Sequence, residues 1–195
     1  DSLNCNELNF PGDGPYSIES ISRAAVNNAR GAREQMNALD GGAEPRFIAF
    51  SIGPLGRLLK PMGTLAFDDA YRIFARTVRA AAAAGADMLH FETFNDLYEV
   101  KAAVLAAKEN SDLPISVTMT YDENGRLMTG GDVPAEVALL EGLGVDLLGI
   151  NCGLGPAQMK PIALQMLEYA SIPMIVNPNA GLPSTVNGKT VYSVG

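Results

Sequence analysis

Apolar and polar positions along this chain fall into two alternating rhythms. Ile18, Ile21, Ala25, Ala29 and Ala32 recur at helical spacing and predict a helix from Ser17 to Leu39. Ser17 or Ser20 can cap its start, and Gly41-Gly42 stops it. The compact apolar run Phe47 to Ile52 reads instead as a strand, closed by Gly53-Pro54. The same exchange then repeats. Helices are predicted over Phe67 to Ala84, Asn95 to Asn110, Val133 to Leu143 and Ala157 to Tyr169. Strands are predicted over Met88 to Glu92, Ile115 to Thr120, Val145 to Ile150 and Met174 to Asn177. Asp68 and Asp69 lie near the start of their helix, where they suit its dipole. Asp1 to Gly14 and Asp122 to Asp132 read as loops, and Asn187-Gly188 as a turn between two short extended pieces.

Strict alternation of strand and helix means a parallel sheet with right-handed crossovers. The chain also echoes itself. Gly85-Ala86-Asp87-Met88-Leu89 returns as Gly144-Val145-Asp146-Leu147-Leu148, and Leu113-Pro114-Ile115 returns as Ile172-Pro173-Met174, both 59 residues on. That distance is two strand–helix units. A repeat of such units favours a (β/α)8 TIM barrel over a doubly wound sheet, whose order reverses at a switch point. A whole barrel takes about 250 residues. The expected fold is therefore α/β, an incomplete barrel holding roughly strands 3 to 7. Residues 1–195 are expected to be one barrel domain truncated at both ends, because the chain opens at Asp1 without a methionine and stops just after an extended piece.

Composition narrows the function classes. The net charge is −8 with no basic cluster, which argues against a nucleic-acid or acidic-membrane surface. Two cysteines 147 positions apart make no disulfide framework, so a reducing, cytoplasmic setting is expected. No run of 18 apolar residues marks a membrane span. His90 is the only histidine, which excludes histidine-rich metal sites; it lies out of phase with Leu89 and Phe91 and reads as structural. The glycines form neither a dinucleotide fingerprint nor a Walker loop.

In a barrel the strand C-terminal ends share one face, and function lives there. Those ends are Ser51 with Gly53, Glu92 with Thr93, Thr118 to Tyr121, Asn151 with Cys152, and Asn177 with Asn179. Glu92 ends an apolar strand and could bind an ammonium, act as a base, or cap the next helix. Cys152 sits where the chain is about to turn through Gly153 and Gly155; it is a metal or thiolate candidate, or a small buried hydrophobe. Asn179, in Pro178-Asn179-Ala180-Gly181, suits a turn. Cys5 lies in a polar loop.

Three stretches together resemble the zinc-dependent homocysteine S-methyltransferases: Phe91-Glu92-Thr93-Phe94-Asn95-Asp96-Leu97, Gly149-Ile150-Asn151-Cys152-Gly153-Leu154-Gly155-Pro156 and Pro178-Asn179-Ala180-Gly181-Leu182-Pro183. Leu127 to Asp132 and Asn187 to Tyr192 extend the likeness, which runs in order over essentially the whole chain. It is strongest to the homocysteine-binding barrels of the cobalamin-dependent methionine synthases. The resemblance implies methyl transfer to homocysteine. It implies that Cys152 is the first of three zinc-binding cysteines, that Glu92 holds the substrate ammonium and that Asn179 stands beside the metal. Asn6 matches an asparagine of the loop after the second strand, although Asp1 to Cys5 departs from the usual pattern there. Zinc would turn the homocysteine thiol into a thiolate without a strong base, and three thiolate ligands would leave a fourth position for substrate sulfur.

The resemblance also implies what this sequence lacks. The family draws two more zinc ligands from an adjacent cysteine pair at the end of its last strand, and an Asp-Gly motif from its first. The strand that would carry the cysteine pair and the first strand with its motif are both expected to be missing from this chain, and Cys5 is in the wrong place to substitute. The 195-residue chain alone is therefore expected to be inactive. The implied donor is methylcobalamin, with cobalamin- and methyltetrahydrofolate-binding modules further along a parent chain. Betaine or S-methylmethionine remain open as donors. So do an unrelated barrel enzyme with a structural Cys152, and a chain without catalysis. The turn Asn179-Ala180-Gly181-Leu182-Pro183 does not suit a phosphate-binding barrel.

Overall fold

The structure is a computed structural model, and it describes residues 2–12, 14–181 and 183–192. The first helix, α1 (Ile18–Asp40), opens on a reciprocal cap in which both serines take part. Ser17 Oγ accepts the Ser20 N–H at 3.1 Å, and Ser20 Oγ accepts the Ser17 N–H at 3.0 Å. Five strands alternating with four helices follow: β1 (Ala49–Ile52), α2 (Phe67–Ala84), β2 (Met88–Phe94), α3 (Leu97–Asn110), β3 (Ile115–Met119), α4 (Val133–Gly142), β4 (Leu148–Asn151), α5 (Pro156–Tyr169) and β5 (Met174–Asn177). A hairpin, β6 (Pro183–Val186) and β7 (Lys189–Tyr192), turns through Asn187 and Gly188, both left-handed.

The first five strands form one parallel sheet in the order β1-β2-β3-β4-β5, with no reversal. This is a run of consecutive barrel-type units, as the alternation and the echo predict. The echo itself has a structural cause. Asp87 accepts the Ile48 backbone N–H at 2.7 Å, and Asp146 accepts that of Ile115 at 2.8 Å. In each case the aspartate satisfies a donor at the start of the preceding strand. Gly85 and Gly144, two residues earlier, both hold positive φ after a helix.

Side chains divide by face. Phe50, Leu89, Phe91, Ile115 and Val117 are buried, and Phe74 of α2 meets Phe91 and Phe94 with ring centroids 6.4 and 5.9 Å apart. That is the helix side. The alternate positions Ser51, His90 and Ser116 are register partners on the other face. There His90 Nδ1 and Ser116 Oγ lie 3.0 Å apart, and burial pushes the imidazole pKa down. Its out-of-phase position therefore puts His90 on the face away from the helices. Among the described residues no helix is long and apolar enough to cross a membrane.

Candidate functional site

The site is built where β2 and β4 end. The sequence pattern stops the second strand at Glu92, but β2 runs on to Phe94 through a register irregularity between Phe91 and Phe94. The residue that makes it is Thr93, at φ +67°. The bulge lets Phe91 and Phe94 both face α2 and re-aims the two residues between them. Glu92 is half-buried and accepts the Ser51 hydroxyl from β1. Ser51 is held in turn, its carbonyl accepting Ser2 Oγ–H at 2.8 Å. The helix cap that Glu92 could have formed belongs to Asp96, whose Oδ1 accepts the Tyr98 N–H at 2.9 Å.

Cys152 is half-exposed at the end of β4, with a left-handed backbone at φ +57°. Its N–H donates to Asn177 O at 3.1 Å, and its carbonyl accepts Leu154 N–H at 2.7 Å. Gly153 continues the turn at φ +69°, where a Cβ would meet Thr120 Cγ2 at 3.0 Å and Tyr121 O at 3.2 Å. The thiol itself is engaged: Asn151 Nδ2 donates to Cys152 Sγ at 3.2 Å. Asn151 also bonds Thr93 twice, accepting its N–H at 3.0 Å and donating to its hydroxyl at 2.8 Å. So the mouths of β2 and β4 are tied together across β3.

Asn179 joins this region through its backbone. Its N–H donates to Leu154 O at 2.9 Å and its carbonyl accepts Gly181 N–H at 2.7 Å, so the turn after β5 is fastened to the loop after Cys152. Asn6 belongs to the segment that Ser2 Oγ and Leu3 O fasten to the end of β1. It is buried in the N-terminal segment, and its Oδ1 accepts the N–H groups of Leu8 and Asn9 at 3.0 and 3.2 Å. Cys5 beside it is buried with Ile18 and Ala80 instead of lying in an open polar loop, and burial raises its thiol pKa. Glu99, in the first turn of α3, accepts the Leu55 N–H at 2.7 Å and pins the loop after β1. Burial pushes its carboxyl up to about 7.

Ser51 was legible as a polar position in an apolar strand. The bonds made by Asn151 and Glu99 link residues 58 and 44 positions apart, and nothing in the local sequence marks them.

As a metal centre the arrangement is partial. Cys152 is a soft donor, half-exposed at the end of a strand, and its sulfur is held by the Asn151 amide. Among the described residues no group of three or more His, Cys, Asp or Glu side chains could hold a metal ion. The residues present fit one corner of a tetrahedral zinc site and do not complete it.

The sequence model of the homocysteine S-methyltransferases matches residues 8–195. The chain is 30% identical to the methionine synthase of Mycobacterium leprae (strain TN) over 191 residues, covering 93% of this chain and 15% of that protein. It is 29% identical to the methionine synthase of Mycobacterium tuberculosis (strain ATCC 25618 / H37Rv), with the same coverage. The chain thus spans about 15% of the length of these curated relatives. Among solved structures, the apo form of the Escherichia coli homocysteine methyltransferase MmuM matches at 26% identity and TM-score 0.74, covering 84% of this chain and 60% of that one. Its metallated form matches in fold at 24% identity and TM-score 0.82, covering 92% and 65%.

Proposed function

This chain belongs to the homocysteine S-methyltransferase family, and we propose that it forms the homocysteine-binding part of a barrel that methylates homocysteine to methionine. The observation that carries the proposal is that a half-buried carboxylate and a half-exposed thiol stand at the ends of two strands whose mouths Asn151 ties together. Residues 1–195 are one segment of that barrel. The 60–65% coverage of the MmuM chain supports this, as does the 15% coverage of the methionine synthases.

Homocysteine brings an ammonium, a carboxylate and a thiol. Glu92 supplies an anion for the ammonium, a charge-assisted bond that fixes one end of the substrate. The Ser51 hydroxyl occupies Glu92 Oε1 and leaves the second oxygen for the ligand. Asn179, on the turn fastened to Leu154, serves the other end, beside Cys152. Asn6 is a further substrate contact through its amide nitrogen, since its oxygen is spent on the turn. Zinc, when bound, supplies a Lewis acid that keeps a thiol deprotonated near neutral pH. Cys152 would hold it as one thiolate, and the adjacent cysteine pair of the family would lie beyond the described residues.

Methylcobalamin is the proposed donor, supported by the likeness to the two methionine synthases. Cobalamin- and methyltetrahydrofolate-binding modules then belong to the same longer protein. A donor such as betaine or S-methylmethionine is the second reading, favoured by the match to the E. coli homocysteine methyltransferase. The test supplies the complete polypeptide with homocysteine and each donor in turn, and measures methionine by mass spectrometry. Methionine from methylcobalamin is the expected result. Methionine only from betaine or S-methylmethionine selects the second reading, and none from any donor overturns both.

A further inference from the structure

Three non-glycine residues among those described have a left-handed backbone: Thr93, Cys152 and Asn187. Asn187 sits in a hairpin turn, where that conformation is ordinary. The other two stand at the mouths of β2 and β4, with β3 between them. Thr93 is β-branched, and for such a residue this backbone is an outlier that needs its surroundings to hold it.

One side chain is bonded to both. Asn151 is 3% exposed, and its amide oxygen and both N–H donors are engaged by these two neighbours. Oδ1 accepts the Thr93 N–H at 3.0 Å; Nδ2 donates to Thr93 Oγ1 at 2.8 Å and to Cys152 Sγ at 3.2 Å. The orientation of the amide is not ambiguous. A backbone N–H can only donate, so the oxygen must face Thr93 and the nitrogen must face the sulfur. No other short side chain offers one acceptor and two donors in a single planar head. Aspartate loses both donors, and serine cannot reach both partners. Just past the end of β3, Thr120 Oγ1 donates to the Asn151 carbonyl at 2.9 Å, which fixes the backbone from which the amide projects.

We infer that Asn151 is a positioning residue that sets the direction of the Cys152 thiol by locking Thr93 and Cys152 into one bonded unit. The inference rests on the proposed role of Cys152 as a zinc ligand. The two bonds to Thr93 hold the frame, and the bond to Sγ transfers that frame to the ligand atom. A merely structural Asn151 would need only the first two.

The roles separate because the strain at Thr93 can be relieved independently: glycine adopts a left-handed backbone without cost. The experiment uses the complete polypeptide with Asn151→Ala, Asn151→Ala combined with Thr93→Gly, and Cys152→Ala. It measures melting temperature and zinc affinity by competition with a chromophoric chelator. Asn151→Ala is expected to lower the melting temperature and weaken zinc binding at least tenfold. Adding Thr93→Gly is expected to recover the melting temperature and leave zinc binding at least tenfold weak. If both recover, Asn151 is structural and the inference falls. Should Asn151→Ala alone fail to fold, the double variant carries the measurement. Cys152→Ala separates the two levels. If it retains zinc, the metal reading itself is overturned. If it loses zinc while the Asn151 variants keep it, only the positioning role is overturned.

Discussion

The Ser51 hydroxyl on β1 donates to Glu92 Oε1 on β2, so the carboxylate proposed to bind substrate is oriented by a neighbour across the sheet. Removing the charge and removing its support should then differ in degree. Glu92→Gln should weaken homocysteine binding by about 10- to 100-fold, the scale of a charge-assisted hydrogen bond. Ser51→Ala should weaken it by about 3- to 10-fold, the scale of a neutral one. Calorimetric titration of homocysteine into the complete polypeptide reads both. Equal, unchanged affinity in the two variants would remove Glu92 from the site.

Close approach of β4 and β5 makes a second prediction. A Cβ on Gly149 would lie 1.9 Å from Ile175 O and 2.8 Å from Ile175 C and N. Backbone atoms cannot swing aside as a side chain can, so the strands must part. Gly149→Ala should cost ~3 kcal/mol or more, above the usual overpacking range. Gly31, inside α1, has nothing within 4 Å of its would-be Cβ. Gly31→Ala should stabilise by about 0.5–1 kcal/mol through helix propensity alone. Urea unfolding of the two variants checks the contrast; similar effects would mean that the β4–β5 approach is looser than described.

Much of this fold was legible in sequence because its signals are local. Helix α2 and strand β5 begin and end where periodicity and breakers place them, and the 59-residue echo marks a repeated aspartate–amide bond. The strand-mouth rule was enough to single out Glu92 and Cys152. What stayed hidden depends on partners far along the chain. The bulge at Thr93 breaks the alternation that a strand pattern assumes. Cys5 lies among polar residues in sequence and is buried only because α1 and α2 close over it. Glu99 resembles any acidic residue in a first helical turn until the loop after β1 folds back onto it.

Burial of Glu136 gives a pH dependence with a definite sign. Burial pushes its carboxyl up to about 8 from the ordinary 4.5, while the Tyr121 hydroxyl it accepts acts the other way. Its Oε1 has no hydrogen-bond partner among the described residues. Between about 4.5 and 8 the folded state keeps a proton that the unfolded chain has released, so stability falls as pH rises through that window. Glu99, raised to about 7, adds to the same slope. Glu136→Gln keeps an acceptor for Tyr121 and cannot ionise. It should leave stability at pH 4.5 nearly unchanged and raise it at pH 8.5 by roughly 1–3 kcal/mol. Denaturant titrations at the two pH values test this. A variant that is destabilised equally at both would show that the carboxylate is not carrying its charge at a cost.

The final prediction concerns metal. Cys152 is the one cysteine at the strand mouths, and the other, Cys5, is buried against Ile18 and Ala80 with its thiol pKa raised. No group of three ligand-type side chains stands together among the described residues. A catalytic zinc site needs three protein ligands, and one thiolate with an asparagine oxygen cannot supply the charge that makes binding tight. The 195-residue chain by itself should therefore hold zinc weakly and should not turn over homocysteine. In the complete polypeptide Cys152→Ala should abolish zinc retention while the fold survives, because Cys152 is half-exposed and its backbone bonds to Asn177 and Leu154 do not involve the sulfur. Cys5→Ser should leave zinc untouched and cost only about 1 kcal/mol of stability, because Ile18 O and Ser22 Oγ, both 3.8 Å from the sulfur, stand ready to partner the buried hydroxyl. Metal content by mass spectrometry, methyl transfer to homocysteine and unfolding curves for these proteins decide the matter. Stoichiometric, tightly held zinc with turnover in the 195-residue chain would mean that residues other than Cys152 and a distant cysteine pair build the site.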